Sequence, residues 1–460
     1  MTRLPFALLA AALAGGCAVA PESPAPLPAA PSAWQAPLPA GAGAPGWTRF
    51  DDPLLPALID TAQAASADVA AAASRIAQAR AARTAAAAAL GPRADASASA
   101  VHGRSDPTTP IATSLSAGVQ AGWELDLFGA GRAGRDAAQA RLTGALATRD
   151  AVRLVVAAET ATGYVALRAC EAQRDVAQVD SASRAETARL TEAAAKAGFR
   201  APADAALARA SAAQGRALAT QQAAACEQLV KSLVALTASD EPALRQRLAA
   251  ATARLPQGAP TAVDGLPAAL LQQRPDLSAA AQAVAAAAAD RMQRDAARWP
   301  QLSLAGSVGA MRVRTSDLSF SATTFAIGPL TLSVPLFDGG RRAADLAAAR
   351  AAYDDAVLQL QAALRNAVRE VEDALVRLQS AASRADDARL AADNFEASLR
   401  ATEARWKGGV ASLFELEDAR RSAAAARAAL IELERERLVA GIDLTRALGG
   451  GWSTDRLAGM

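Results

Sequence analysis

The sequence predicts a mainly helical protein that carries a pair of β-hairpins, with one hairpin-and-helices unit built twice. Three observations predict this. Hydrophobic residues make up 52% of the 460 positions but aromatics only 4%, so alanine supplies much of the apolar content. Alanine interspersed with Arg, Glu, Asp and Gln favours long helices, because Ala loses no side-chain entropy on entering one. Four segments instead alternate polar and apolar residues, the period of a half-buried strand. Finally, the same order of elements returns about 210 residues later, a duplicated domain and not a short solenoid repeat.

The first residues are a targeting segment. Arg3 supplies a positive start, and Leu4 to Ala14 form an apolar core too short to span a bilayer. Leu13-Ala14-Gly15-Gly16-Cys17 reads as a lipobox, with Cys17 the lipidated first residue of the mature chain and palmitate among its acyl chains. Ala14 stands where an aliphatic residue is usual. Ordinary cleavage after Ala18-Val19-Ala20 is the alternative, but it would leave Pro21 beyond the cut. Several acyl chains anchor stably where one would not. This divides the start of the chain into a signal peptide, 1–16, and a Pro/Ala-rich anchored segment, 17–52.

The repeat follows. A helix ending at a proline appears at Ala64–Leu90 with Gly91-Pro92, and again at Ala268–Arg298 with Trp299-Pro300. A strand ending in Leu-Phe, then Gly and Arg and a very long helix, appears at Leu127-Phe128-Gly129 and at Leu336-Phe337-Asp338-Gly339-Gly340-Arg341. Glycine breaks at Gly198 and at Gly408-Gly409 each precede a returning helix. Repeat 1 is assigned to 53–238, a linker to 239–265, repeat 2 to 266–448 and a tail to 449–460.

From Thr113 to Leu127 one strand face reads Thr, Leu, Ala, Val, Ala, Trp, Leu, Leu and the other Ser, Ser, Gly, Gln, Gly, Glu, Asp. Such a length is long for a globular strand and right for a tilted membrane-spanning one. Residues 93–104 and 301–313 alternate more weakly. Residues 322–336 change phase at Gly328-Pro329, which predicts a bulge. A soluble sheet with one wet face would alternate in the same way. The secretory start and the aromatics near strand ends, Trp123, Phe128, Trp299, Phe320 and Phe325, favour the membrane. Four strands cannot close a membrane barrel, and an open edge in lipid leaves backbone groups unpaired. A membrane role therefore requires oligomerisation.

The long helices, 130–197 and 339–407, contain no proline and would each reach about 100 Å. Leu360, Leu364, Val368, Val371, Leu375 and Leu378 keep the spacing of a coiled-coil seam. Each helix returns, as 203–237 and 412–448. The second return opens with the capping box Ser412-x-x-Glu415, the first with Pro202 and no Ser or Thr cap. Cys170 and Cys226 stand at nearly equal distance from the first turn. In an antiparallel hairpin they would sit at one height, and an oxidising compartment permits a bond. Two small buried hydrophobes are the alternative to that disulfide.

Net charge is +2, with no basic block, which argues against nucleic acid. A single histidine, His102, and no Cys/His cluster give no sign of a metal or other cofactor, and His102 receives no role. Gly129-x-Gly131-x-x-Gly134 follows a strand and opens a helix, as a dinucleotide fingerprint would. An NAD-linked enzyme is a minor alternative on that motif. The alternating strand before it and the overlong helix after it count against such a site, and the second copy lacks the pattern.

Seven segments carry a family resemblance: Cys17-Ala18-Val19; Phe50-Asp51-Asp52-Pro53-Leu54; Trp123-Glu124-Leu125-Asp126-Leu127-Phe128-Gly129; Arg274-Pro275-Asp276-Leu277; Gly328-Pro329; Pro335-Leu336-Phe337-Asp338-Gly339-Gly340-Arg341; and Ala447-Leu448-Gly449-Gly450-Gly451-Trp452. In that order the chain resembles the TolC-like outer membrane factors, most closely the NodT-type efflux lipoproteins. The resemblance implies a homotrimer with a twelve-stranded outer-membrane barrel continuous with a long periplasmic helical barrel. It implies export of small molecules, with a periplasmic adaptor and an inner-membrane pump of the resistance-nodulation-division type as partners, and no enzyme activity. It places a periplasmic gate at the helix turns, with Asp204, Glu415, Asp418 and Arg421 as gate residues; Glu415 stands where the family has Asp. The alternative of a periplasmic adaptor would show one helical hairpin and no long amphipathic strands.

Overall fold

A computed structural model describes residues 31–38, 46–104, 106–107, 110–258, 263, 267–316, 318–450 and 452. Residues 1–16 and Cys17 lie outside the described residues. The chain divides into two compact units; among the described residues the first holds 74–147 and 278–362, and the second holds 31–73, 148–277 and 363–452.

The elements in chain order are α1 (Leu54–Ala65), α2 (Ala67–Ala88), β1 (Arg93–Gly103), β2 (Ala112–Leu125), α3 (Ala130–Lys196), α4 (Pro202–Thr237), α5 (Glu241–Ala249), α6 (Pro275–Ala296), β3 (Gln301–Arg314), β4 (Ser319–Ser333), α7 (Arg341–Lys407) and α8 (Leu413–Ala447). A 3-10 turn, Trp47–Phe50, precedes α1. The helix expected from Ala64 to Leu90 is two helices. Ser66 is extended, ending α1, and its hydroxyl accepts the Val69 N–H, starting α2. The helix expected from Ala268 begins as a separate short turn and becomes continuous only at Pro275, a good first helical residue because its missing N–H would have no partner there. The linker 239–265 contains α5, capped by the Asp240 side chain on the Ala243 N–H.

In the first unit the strands form one antiparallel sheet in the order β1-β2-β3-β4. The ladder between β3 and β4 slips between Leu304 and Gly306, where Ile327 and Leu330 are the successive partners, so Gly328-Pro329 is the bulge. Every strand residue is exposed or half-buried.

The second unit has a packed core. Leu55, Leu58, Tyr164, Leu167, Leu233 and Leu244 lie in one buried cluster, where α1, α3, α4 and α5 meet. A second cluster joins Leu277 to Leu364, Val371 and Leu375 of α7 and Leu444 of α8. A third, near the turns, is made of small residues, Ala188, Ala208 and Ala212, against Leu413 and Leu416. Alanine at facing positions lets helices approach closely, which explains how an Ala-rich chain still buries a seam.

Buried charges fix the helix ends. The Arg274 guanidinium makes two bonds to Asp276, at 2.6 and 2.9 Å, one to Glu370 at 2.8 Å and one to the Ala447 carbonyl at 3.1 Å. It thus ties the start of α6 to the end of α8. Gly449, at φ 87°, passes so close that a Cβ would fall 1.7 Å from the Gln273 carbonyl oxygen, so no other residue fits. Arg168 is fully buried, donating to Glu171 and to the Leu248 carbonyl, each at 2.8 Å, and lies over the Tyr164 ring. Burial, reinforced by the bond from its hydroxyl to Asp52, pushes the Tyr164 phenol up to about 12.

Candidate functional site

Two regions carry chemistry that their own cores do not explain: the faces of the sheet and the helix ends at the turns.

Directly paired residues share a face of a sheet. On one face the rows across β1 to β4 read Ala96-Val119-Val308-Phe325 and Ala94-Ala121-Gly306-Ile327. Further toward the helices, Trp123-Leu304-Leu330 and Leu125-Leu302-Leu332 continue that face. These four rows are apolar throughout, yet exposed: Phe325 by 82% and Ile327 by 91%. Trp123 closes its lower margin, its indole N–H donating to the Leu90 carbonyl, while Phe128 and Trp299 stack nearby at 5.7 Å. The opposite face holds Asp95-Gln120-Ser307 and Ser97-Gly118-Gly309-Thr324. At the paired glycines a Cβ on Gly118 would lie 2.9 Å from the Val308 carbonyl oxygen, and one on Gly309 would lie 3.2 Å from that of Ala117. At this pair the backbones close in on the polar side, a local concavity of that face. Phe320 belongs to that face, two rows beyond Thr324, and not to an aromatic margin of the apolar face.

Apolar rows on one face, over an opposite face rich in Ser, Thr, Gln and Gly, are what a lipid-embedded wall around a wet lumen needs. From Leu125 to Ala117, the last row before Arg312, the strand rises about 27 Å, which at a tilt near 40° gives about 21 Å of height, close to the roughly 25 Å of the outer-membrane apolar band.

The glycine motif at 129–134 does not bind a phosphate. The anion position at the start of α3 is filled by the chain's own Asp126, which accepts the N–H groups of Gly131 at 3.1 Å and Arg132 at 2.9 Å. Cβ atoms at Gly131 and Gly134 would meet Leu90 at 2.6 Å and Gln293 at 2.8 Å, so those glycines serve packing. Asp338 caps α7 in the same way, accepting from Gly340 and Arg342. Among the described residues no group of His, Cys, Asp or Glu is placed to hold a metal ion.

At the turns of the second unit, Ser412 and Glu415 form a reciprocal capping box. The Ser412 backbone N–H and hydroxyl hold the Glu415 carboxyl below its ordinary range. Asp204 is half-buried in the first turn of α4, behind Pro202. Asp418 and Arg421 face each other at 3.5 Å on the surface of α8, 62% and 71% exposed. The buried charges stand one position earlier. Glu417 accepts from Arg184 of α3 at 2.9 Å and from Arg420 at 3.0 Å. Ser211 of α4 also donates to Glu417, and Arg420 reaches the Thr187 hydroxyl at 2.8 Å. Residues 417 and 420 continue the buried stripe of Leu413, Leu416 and Ala423, and that phase was the signal that marks them in the sequence. A shift of one residue turns a side chain by about 100° around a helix. Cys170 and Cys226 are disulfide-bonded across α3 and α4, with their Cα atoms 5.6 Å apart.

Residues 58–241 and 266–450 both match the family described as outer membrane efflux protein. This chain belongs to that family. It is an outer-membrane efflux channel protein and not an enzyme. Among its relatives, outer membrane protein OprJ of Pseudomonas aeruginosa is 30% identical over 73% of this chain and 69% of its own length. The toluene efflux pump outer membrane protein TtgI of Pseudomonas putida is 28% identical over 98% of each. The solved outer-membrane channel OprN superimposes with a TM-score of 0.82 at 26% identity, covering 94% of this efflux channel and 98% of that chain.

Proposed function

We propose that three copies of this chain join sheets edge to edge, β1 of one against β4 of the next, as a twelve-stranded barrel in the outer membrane. One observation carries the reading: a four-stranded sheet exposes four apolar rows on one face and leaves both edge strands without an outer partner. In lipid each unpaired N–H or C=O costs several kcal/mol, so the strands must find partners in other copies. The long helices then line a periplasmic tunnel. Small molecules enter it from a periplasmic adaptor and an inner-membrane resistance-nodulation-division pump. The name of TtgI, an efflux pump outer membrane protein, supports a pump partner.

In this reading 53–238 and 266–448 are the two copies of one unit, joined by 239–265 and followed by the tail 449–460. Cys17, lipidated, anchors the segment 17–52 to the membrane. The Cys170–Cys226 bond fastens the first hairpin. The gate lies at the turns, where Asp204, Glu415, Asp418 and Arg421 engage neighbouring copies. The surface exposure of Asp418 and Arg421 supports this, since a residue that pairs between copies stays uncovered in one.

The test is an outer-membrane fraction analysed for heat-modifiable trimer bands, with conductance of the purified protein in planar bilayers. Trimers that conduct are expected. A soluble monomer without conductance contradicts the reading. Asp418→Ala and Arg421→Ala should each open the channel more often; unchanged opening in both removes them from the gate.

A further inference from the structure

Beyond the apolar rows, toward the hairpin turns, the outer face of the sheet changes character. The Leu115 row carries Arg312 and Ser321, and the next outer row is His102-Thr113-Arg314-Ser319. Arg312 and Arg314 are two residues apart on one strand, so both point outward from the same face, about 7 Å apart. Both are exposed, and neither has a carboxylate partner among the described residues. The strand carboxylates, Asp95 and Glu124, belong to the opposite face. His102 is hydrogen-bonded to Thr113 at 2.8 Å, and Arg312 and Arg314 are the arginines of these strand rows, with Arg104 and Asp106 beyond them in the β1–β2 turn.

The two margins of the apolar face therefore differ in kind. The margin toward the helices is aromatic, with Trp123 on the face itself and the stacked Phe128 and Trp299 beside it. The margin toward the turns is cationic, and its strand rows hold no aromatic residue on the outer face. Indole and phenyl rings suit a headgroup region of mixed polarity. A planar guanidinium, permanently charged and forked, suits phosphate oxygens, which it binds through two parallel hydrogen bonds. The height of about 21 Å from Leu125 to Ala117, against a band of roughly 25 Å, sets the arginines at the upper boundary of the hydrocarbon.

We propose that Arg312 and Arg314 hold the phosphate groups of phosphorylated lipid headgroups in the outer leaflet, forming a lipid-binding band around the mouth of the barrel. The proposal rests on the membrane-barrel reading above, since it requires this face to meet lipid with the turns outside.

The test uses the full chain reconstituted into nanodiscs of phosphatidylcholine mixed with bisphosphorylated lipid A. Native mass spectrometry of the released complex reads the ratio of retained lipid A to phosphatidylcholine. For the unaltered protein that ratio should exceed the bulk ratio by about tenfold, the effect of one good charge-assisted contact. Arg312→Gln with Arg314→Gln should return it to the bulk ratio, while conductance in phosphatidylcholine bilayers stays as in the unaltered protein. Arg312→Lys with Arg314→Lys, which keeps the charge and loses the fork, should fall between. Dephosphorylated lipid A should show no enrichment. Absence of enrichment in the unaltered protein, or its persistence in the glutamine variant, overturns the proposal and leaves the channel reading standing. Displacement of all retained lipid A by inorganic phosphate overturns it too, by assigning the arginines to a free ion. Failure to insert into any bilayer defeats both readings at once.

Discussion

The sheet and the helical unit solve the problem of apolar surface in opposite ways. In the second unit Leu364, Val371 and Leu375 face inward against Leu277 and Leu444 and are almost fully buried. In the first, Phe325, Ile327, Leu330 and Leu332 face outward, each more than half exposed. Their apolar character is equal; the intended solvent is not. The helical unit covers a seam within one chain, and it keeps Val179, Val376, Phe395 and Phe414 exposed for neighbouring copies. A sheet that leaves its face and both edges open is a part, and lipid and neighbouring copies are the rest.

The largest effects should fall on the helical unit alone. Arg274→Ala would leave Asp276 without its partner, Glu370 with Arg446 alone, and the Ala447 carbonyl without that donor. Loss of one member of a buried ionic set costs about 3–5 kcal/mol, and the partial exposure of Asp276 and Glu370 puts the expected cost at the lower end of that range. Thermal melting followed by helix circular dichroism should show this as a lowered transition. An unchanged transition would show that the helical unit is not held at this point.

Val308→Arg tests the other side of the comparison. Val308 lies near the middle of the apolar face, where arginine costs about 2–4 kcal/mol in a membrane barrel. Ser307→Arg, one residue away on the opposite face, should cost far less. The yield of assembled protein in the membrane fraction reads the difference. Equal yields would mean that both faces meet water.

Within the helical unit, the two hairpins are fastened differently. The first has the Cys170–Cys226 bond; the second is joined to it near the turns by Glu417 and Arg420, which reach Arg184 and Thr187. A disulfide closing a loop of this size contributes about 2–4 kcal/mol. Cys170→Ala with Cys226→Ala should lower the stability by that amount, read as a lower melting transition, and leave assembly in the membrane fraction intact. Loss of assembly would mean that the sheet depends on the first hairpin.

The smallest effect is in acid. Burial alone would raise the Asp276 carboxyl, but Arg274, bonded at two atoms, outweighs it and holds it low. A carboxyl depressed in the folded state adds stability above its unfolded pKa, about 4, and loses it as pH falls through the folded value. Melting temperature should therefore hold from neutral pH to about 5 and fall below it. Asp276→Asn, less stable at neutral pH, should show a shallower fall; an identical acid slope would remove Asp276 from the cause.

Much of the sheet was legible in advance, because period-two alternation in β2 reports its two faces directly and Gly328-Pro329 marks the slip in β4. The capping box Ser412-Glu415 was legible for the same local reason. What failed to show was helical phase and long-range pairing. An exposed pair, Asp418 and Arg421, looks in sequence like the buried pair one residue earlier, and only the stripe of Leu413, Leu416 and Ala423 tells them apart. Arg168 is buried because Glu171 and the Leu248 carbonyl come to it, and Leu248 is far away in sequence. Gly129, Gly131 and Gly134 mimic a phosphate site, a reading that the alternating strand and overlong helix already counted against; the sequence did not show that the Asp126 carboxylate fills the position.

The central claim is that the sheet is incomplete in one chain. Native mass spectrometry of the protein extracted gently from outer membranes tests it most directly. The account predicts three copies per complex, dissociating only with loss of strand signal. A single copy that keeps a stable, protected sheet in detergent would contradict it.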